Sequence, residues 1–189
     1  MSPPDAEALY RAVLDQIRAA YCADADAFSA ADGIAIAGIH SGGAWLAERL
    51  ARDLGAPHYG VVNVSLHRDD YAKKGLHSEA SPTALPFEVE NRRILLVDDV
   101  LYTGRTVRAA LNELYDYGRP ASVELAVLAD RGGRELPVAA RFVGAQTAVP
   151  AGSSLVLARD EGANRGASDG ASDGANRGAF SFRLEASAA

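Results

Sequence analysis

The chain has 189 residues, of which 48% are hydrophobic, and a formal charge of -6 from 25 acidic and 19 basic side chains. This length predicts one domain, and the acidic balance argues against a protein that mainly coats a nucleic-acid backbone. Cys22 is the single cysteine, which excludes an intrachain disulfide, and we expect it to be buried as a small apolar residue. The sequence contains no apolar run of the roughly 18 to 20 residues that cross a membrane, so we expect a cytoplasmic protein.

The first third of the chain predicts a helix, a buried strand and a second helix. Apolar residues recur at helical spacing over 5–22, behind two prolines and an aspartate that mark a helix start. The continuous apolar run at 33–39 is typical of a strand that is buried on both faces. Gly42 and Gly43 precede a second amphipathic stretch, which Gly55 and Pro57 end.

The same alternation continues through the middle of the chain. It predicts strands at 59–66, 93–97 and 122–129, with a helix over 104–117. Strands that alternate with helices form a mostly parallel, twisted sheet covered by helices. Such an α/β sheet binds its ligands beyond the carboxyl ends of the strands.

Two stretches depart from this alternation. Residues 68–91 are polar and too long for an ordinary connection, which indicates a flexible functional loop. Residues 162–178 form a fourfold Gly-Ala-x-x repeat without aromatic or branched side chains, which predicts a disordered loop. The alternating segments 154–159 and 179–185 flank the repeat and predict two paired strands, a small hairpin near the end of the chain.

The strongest chemical signal is the 13-residue segment 94–106. Four apolar residues form a strand, Asp98 and Asp99 follow at its end, and a turn with hydroxyl side chains opens the next helix. The free N–H groups of that helix start, with Thr103, Arg105 and Thr106, suit a phosphate monoester. Adjacent carboxylates accept hydrogen bonds from sugar hydroxyls, so the segment predicts a site for a phosphorylated sugar.

The segments VDDVLYTGRTVRAAL at 97–111 and DRGGRELPV at 130–138 resemble the type I phosphoribosyltransferases. The resemblance is closest to the type that combines regulation of the pyrimidine operon with uracil phosphoribosyltransferase activity (PyrR type), and it extends over 34–144. It implies a type I phosphoribosyltransferase fold as a single domain over 1–189, with 68–91 as the active-site loop. It also implies a homodimer or homotetramer.

The resemblance further implies a role for each matching position. Asp98 and Asp99 would bind the ribose hydroxyls of phosphoribosyl pyrophosphate (PRPP) and hold Mg²⁺ mainly through water. Arg68 would reach the pyrophosphate from the flexible loop, and Asp130 and Arg131 would bind the base. The other PRPP-binding positions are His40, Ser41, Gly42, Val100, Leu101, Tyr102, Thr103, Gly104, Arg105 and Thr106. The family usually has arginine at the position of His40, so we expect weaker pyrophosphate binding here.

The implied reaction is transfer of phosphoribosyl from PRPP to uracil, which gives UMP and pyrophosphate. Two alternatives remain at this point: an attenuator that binds pyr leader RNA with little or no catalysis, and a purine phosphoribosyltransferase. RNA binding requires clustered basic side chains. The candidates are Arg92, Arg93, Arg105, Arg108, Arg119, Arg131, Arg134 and Arg141.

Overall fold

The computed structural model describes residues 2–64, 82–160 and 178–186. Arg68, most of the predicted active-site loop and residues 162–177 of the repeat lie outside the described residues. In the described part of the chain, no helix is long and apolar enough to cross a membrane.

Five parallel strands form the central sheet, in the order β2-β1-β3-β4-β5. The continuous apolar runs of β1 and of the first part of β3 are buried because helices cover both faces of the sheet. The predicted α/β architecture is confirmed. The strands are β1 (Ala35–Ile39), β2 (Tyr59–Val62), β3 (Arg93–Leu101), β4 (Ser122–Asp130) and β5 (Phe142–Gln146).

Helices α1 (Ala6–Ala20) and α2 (Gly42–Leu54) cover one face of the sheet, and α3 (Arg105–Asp116) covers the other. Successive side chains of a strand point to opposite faces. Leu95 and Val97 therefore pack in the core with α1 and α2, while Leu96 packs in the core with α3. The predicted bounds of all three helices are correct to within about two residues.

The last two strands form the predicted hairpin. Strand β6 (Ser153–Arg159) pairs antiparallel with β7 (Phe180–Ala186), in a sheet separate from the central one. The alternating apolar side chains of the hairpin, which include Leu157 and Phe180, are buried in the core formed by α1 and α2. The hairpin therefore lies on the same side of the central sheet as α2.

Five expectations differ from the structure. Strand β3 continues through the two aspartates to Leu101, because residues 98, 100 and 101 pair with β4. Strand β2 ends at Val62, and β5 was missed because its five residues are too few to show a clear alternation and include Gly and Gln. Cys22 is exposed, not buried. Residues 82–91 lie against the edge of the sheet, where Ala84 pairs with Val61 and Val89 is buried.

Candidate active site

The carboxyl ends of β1, β3 and β4 meet at one edge of the sheet, next to the first turns of α2 and α3. These two helices begin differently from α1. Helix α1 is capped by the Asp5 carboxylate and has Glu7 in its first turn, whereas α2 and α3 have neither a side-chain cap nor an acidic residue there. The first N–H groups of a helix have no partner within the helix and carry partial positive charge. The two helix starts at this edge thus offer anion-binding groups.

Glycines bring the start of α2 very close to the sheet. A Cβ on Gly43 would lie 2.3 Å from the Val97 carbonyl oxygen, and one on Gly38 would lie 2.2 Å from the Gly43 carbonyl oxygen. A Cβ on Gly42 would lie 2.7 Å from a carboxylate oxygen of Asp99. Larger residues would push the helix away, so these glycines place the start of α2 against the acidic end of β3.

His40 and Ser41 connect β1 to α2. The His40 side chain is exposed, and its backbone N–H donates to the Val62 carbonyl at 2.9 Å, which extends the pairing of β1 with β2. The peptide bond between His40 and Ser41 is cis. Ser41 is the N-cap residue of α2, but its side chain makes no cap hydrogen bond. The backbone here forms a polar turn whose helix-start N–H groups lack a side-chain acceptor in the described structure.

Asp98 and Asp99 have different surroundings. Asp98 is only 6% exposed, and its carboxylate accepts from the Asp99 N–H at 3.0 Å. Asp99 is partly buried and accepts from the Val100 N–H at 3.0 Å and from the backbone N–H of Leu157 in the hairpin. The hairpin therefore covers the second carboxylate and supplies one of its donors.

Burial raises the pKa of Asp99 above the ordinary carboxyl value, although the hydrogen bonds from Asp98 and from backbone N–H groups act in the opposite direction. A carboxylate that is held partly out of water binds a hydroxyl donor more strongly than an exposed one does. The arrangement suits recognition of sugar hydroxyls, because these groups donate hydrogen bonds to the carboxylate in place of the water that burial excludes.

Residues 102–106 form the turn between β3 and α3. Gly104 has φ +92 and caps α3, and a Cβ there would lie 2.4 Å from a methyl carbon of Val138. The Thr103 hydroxyl accepts from the Arg105 N–H at 3.3 Å. The Arg105 guanidinium extends to the side and forms an ion pair with Glu135 at 2.7 Å. The turn presents its backbone N–H groups, and the arginine that sequence reasoning assigned to a phosphate is bonded to Glu135.

Residues 130–138 form a second turn, after β4. The Asp130 carboxylate accepts from Gly132 N–H at 2.9 Å and from the Arg134 guanidinium at 2.6 Å. Burial acts to raise the pKa of Asp130, but these donors outweigh it, and the pKa is lower than the ordinary value. Asp130 is therefore a carboxylate already engaged within its own turn.

The Arg131 side chain joins the second turn to the hairpin. Its guanidinium lies 4.3 Å from the centre of the Tyr102 ring and donates to the Ser153 carbonyl at 3.0 Å. Its Nε is buried and has no hydrogen-bond partner in the described part of the chain. A buried donor without a partner is costly, so Arg131 retains a hydrogen-bonding capacity that a ligand could satisfy.

The structure brings together most of the residues that the sequence predicts for the site. Residues 40–42, 98–106 and 130–131 come from three neighbouring strand ends, whereas Arg68 lies outside the described residues. Sequence reasoning placed Arg134 and Glu135 in the segment around the base but could not give their partners, and it missed the backbone N–H of Leu157.

Comparison with known proteins agrees with this geometry. A phosphoribosyl transferase domain model matches residues 7–153, so the chain belongs to the phosphoribosyl transferase domain family. It is 62% identical to the bifunctional protein PyrR of Ralstonia nicotianae over 161 residues, which are 85% of this chain and 90% of that protein. It is 52% identical to the bifunctional protein PyrR of Pseudomonas aeruginosa over 125 residues, 66% of this chain and 69% of that protein. The predicted resemblance to the PyrR type is confirmed.

Solved structures confirm the type I phosphoribosyltransferase fold. A hypoxanthine-guanine phosphoribosyltransferase from Bacillus anthracis superposes with a TM-score of 0.58 at 15% identity, over 78% of this chain and 84% of that one. The enzyme from Leishmania tarentolae in complex with GMP gives 0.57 at 19% identity, over 80% and 82%. At these sequence identities the similarity shows the fold and says nothing about which base is bound.

Proposed function

We propose that this protein transfers phosphoribosyl from PRPP to uracil, giving UMP and pyrophosphate, and that it also regulates pyr gene expression. One observation carries the enzymatic part: two helix starts without side-chain caps lie at the same edge of the sheet as an adjacent pair of carboxylates. PRPP carries a 5'-phosphate and a 1-pyrophosphate on one ribose, so it needs two anion sites with sugar-binding acceptors between them. The 62% identity to a bifunctional protein PyrR supports uracil as the base.

In the proposed mechanism, Asp98 and Asp99 accept hydrogen bonds from the ribose hydroxyls. The turn 102–106 binds the 5'-phosphate through backbone N–H groups and the Thr103 and Thr106 hydroxyls, and the turn 40–42 binds the pyrophosphate. N1 of uracil attacks the anomeric carbon as the bond from that carbon to pyrophosphate breaks, through a transition state with positive charge on the ribose ring, and the N1 proton passes to water or to the leaving pyrophosphate. The protein acts mainly by position and by charge stabilisation, without a covalent nucleophile.

The two carboxylates also fit the proposed Mg²⁺. In phosphate-binding sites, Mg²⁺ is typically held by one or two carboxylates together with substrate phosphates and water. Among the described residues no group of three or more His, Cys, Asp and Glu side chains could hold a metal alone, so the ion would come with PRPP. When bound, it neutralises the charge of the leaving pyrophosphate.

Regulation through pyr leader RNA is the second proposed function, supported by the similarity to PyrR proteins. We rank it after the enzymatic one because several candidate arginines are engaged within the protein. Arg105 pairs with Glu135, Arg134 pairs with Asp130, and Arg92 donates to the Ala31 carbonyl. Filter binding with pyr leader RNA over a range of salt concentrations tests this function. If no salt-dependent, sequence-selective binding is found, only the enzymatic function remains.

Turnover of PRPP and Mg²⁺ with a panel of bases tests the enzymatic function. We expect UMP from uracil, and less product from hypoxanthine or guanine. Release of pyrophosphate only with a purine base would replace the proposal by the purine alternative, and no turnover with any base would contradict the enzymatic function. Light scattering after gel filtration tests the proposed homodimer or homotetramer, and cell fractionation tests the proposed cytoplasmic location.

A further inference from the structure

Arg134 makes four hydrogen bonds to four different residues around the second turn. Its guanidinium donates to the Asp130 carboxylate at 2.6 Å, to the Gly132 carbonyl at 3.2 Å and to the Val138 carbonyl at 3.2 Å. It also donates to the Tyr102 carbonyl at 2.6 Å, which belongs to the turn before α3. The side chain is 24% exposed, so these bonds are partly shielded from water.

The backbone of the second turn has no regular secondary structure to fix its conformation. Residues 131–141 contain no helix or strand, and Gly132 and Gly133 follow one another with φ +69 and +67. A Cβ on Gly132 would meet no atom within 4 Å, so packing does not hold the turn at that point. Two successive glycines allow many backbone conformations. The bonds of Arg134 select one of them.

Further contacts join this turn to the turn before α3. The Thr103 carbonyl accepts from the N–H groups of Glu135 and Leu136 at 3.0 and 3.2 Å. The ion pair of Arg105 with Glu135 spans the same gap. Because Arg134 also donates to the Tyr102 carbonyl, it contacts both turns. It therefore helps to fix the second turn (130–138, the base turn) relative to the turn 102–106 (the phosphate turn).

We propose that Arg134 is the positioning residue that sets the place of the base relative to the ribose. This inference rests on the proposed function, in which residues 102–106 bind the 5'-phosphate and Asp130 and Arg131 lie at the base. The planar guanidinium supplies several donors in fixed directions, and a lysine ammonium does not reproduce that geometry. Arg134 touches neither substrate; it keeps the residues around the base at the distance that attack on the anomeric carbon requires.

Loss of this geometry should impair the use of uracil as a substrate more than it impairs the binding of PRPP. The phosphate turn connects β3 directly to α3, whereas the base turn is held by hydrogen bonds and an ion pair, and four of those hydrogen bonds come from Arg134. A displacement of about 1 Å in a reacting group costs about 100-fold in rate. We therefore expect Arg134→Gln and Arg134→Lys to lower kcat/KM for uracil by about 100-fold, with KM for PRPP changed by less than about twofold.

The matched control is Arg159→Lys. Arg159 is also a partly exposed, ion-paired arginine, but it lies in the hairpin and pairs with Glu48 of α2 at 2.5 Å, not with a residue of either turn. We expect this variant to keep the kinetic constants of the unchanged protein. Thermal unfolding of all variants separates the two roles, because a purely structural loss lowers Tm and the active fraction without shifting KM for uracil relative to KM for PRPP.

The outcomes are distinct. A fall of about 100-fold in kcat/KM for uracil in both variants, through kcat or through KM for uracil and with KM for PRPP retained, supports the positioning role. A lysine variant with unchanged uracil kinetics, or equal increases in both KM values, would overturn it. If the unchanged protein forms no UMP from uracil, the failure belongs to the proposed function, whereas failure of the variants alone to discriminate the two substrates belongs to the inference about Arg134.

Discussion

Gly104→Ala tests the geometry of the phosphate turn. The position has φ +92, and an added Cβ would lie 2.4 Å from a methyl carbon of Val138. A side chain in the left-handed region costs about 1 to 2 kcal/mol, and an overpacked contact costs about 1 to 3 kcal/mol. The free energy of unfolding should therefore fall by about 2 to 5 kcal/mol. At about 2 to 4 °C per kcal/mol for a domain of this size, Tm should fall by about 4 to 20 °C.

Gly55→Ala is the matched control for the backbone cost. Gly55 ends α2 with φ +72, and a Cβ there would meet nothing within 4 Å. We expect the free energy of unfolding of Gly55→Ala to fall only by the cost of a side chain in the left-handed conformation, about 1 to 2 kcal/mol. Measurement of Tm for both variants by circular dichroism gives the steric share as their difference.

A double-mutant cycle with Val138→Ala identifies the clashing group. Removal of the Val138 methyl carbon should relieve the clash in Gly104→Ala and so recover the part of the unfolding free energy lost to it. The two changes should therefore couple by about 1 to 3 kcal/mol. Equal Tm values for Gly104→Ala and Gly55→Ala, or a cycle without coupling, would refute the assigned contact between the two turns.

The other predictions concern the carboxylates, the pyrophosphate turn and the hairpin. Asp98→Asn combined with Asp99→Asn should abolish turnover with an unchanged circular dichroism spectrum; retained activity would contradict the sugar site. The pKa of Asp99 is raised in the folded state, so its contribution to stability is present at low pH and is lost as the pH rises through that pKa. Asp99→Asn alone should thus raise Tm near pH 7 and lose this gain near pH 4, and a gain independent of pH would contradict the burial effect. His40→Arg should lower KM for PRPP about tenfold, because it adds a charged donor, and an unchanged KM would indicate that backbone groups bind the pyrophosphate. Phe180→Ala should cost about 3 to 5 kcal/mol in urea unfolding, because this ring is buried beside α1; a cost below 1 kcal/mol would show that the hairpin is not part of the core.

The alternation of helices and strands could be predicted because its signals are local. Gly55 ends α2 in the left-handed conformation, and the apolar run of β1 is buried at every position. The alternating residues of β6 and β7 likewise indicated the hairpin, and both strands were found.

The parts that sequence reasoning missed depend on partners far away in the chain. Aspartates are disfavoured in strands, so the pattern of β3 ends at Val97, yet Leu101 pairs with Asp130 of β4. The Arg134 guanidinium meets the Tyr102 carbonyl 32 residues away, and no spacing in the sequence indicates this bond. The assignment of Arg105 to a phosphate likewise could not anticipate its pairing with Glu135.

The donor that Leu157 supplies to Asp99 also has a consequence for synthesis on the ribosome. All five strands of the central sheet have been translated once Gln146 is added, but the hairpin requires 40 further residues, up to Ala186. At about 5 to 20 residues per second, this interval lasts about 2 to 8 s. Until those residues have been added, no complete hairpin exists to hold the backbone N–H of Leu157 beside Asp99. The hydrogen-bonding environment of Asp99 would then be completed only as the last two strands pack, as a separate event after the strands of the sheet have been synthesised.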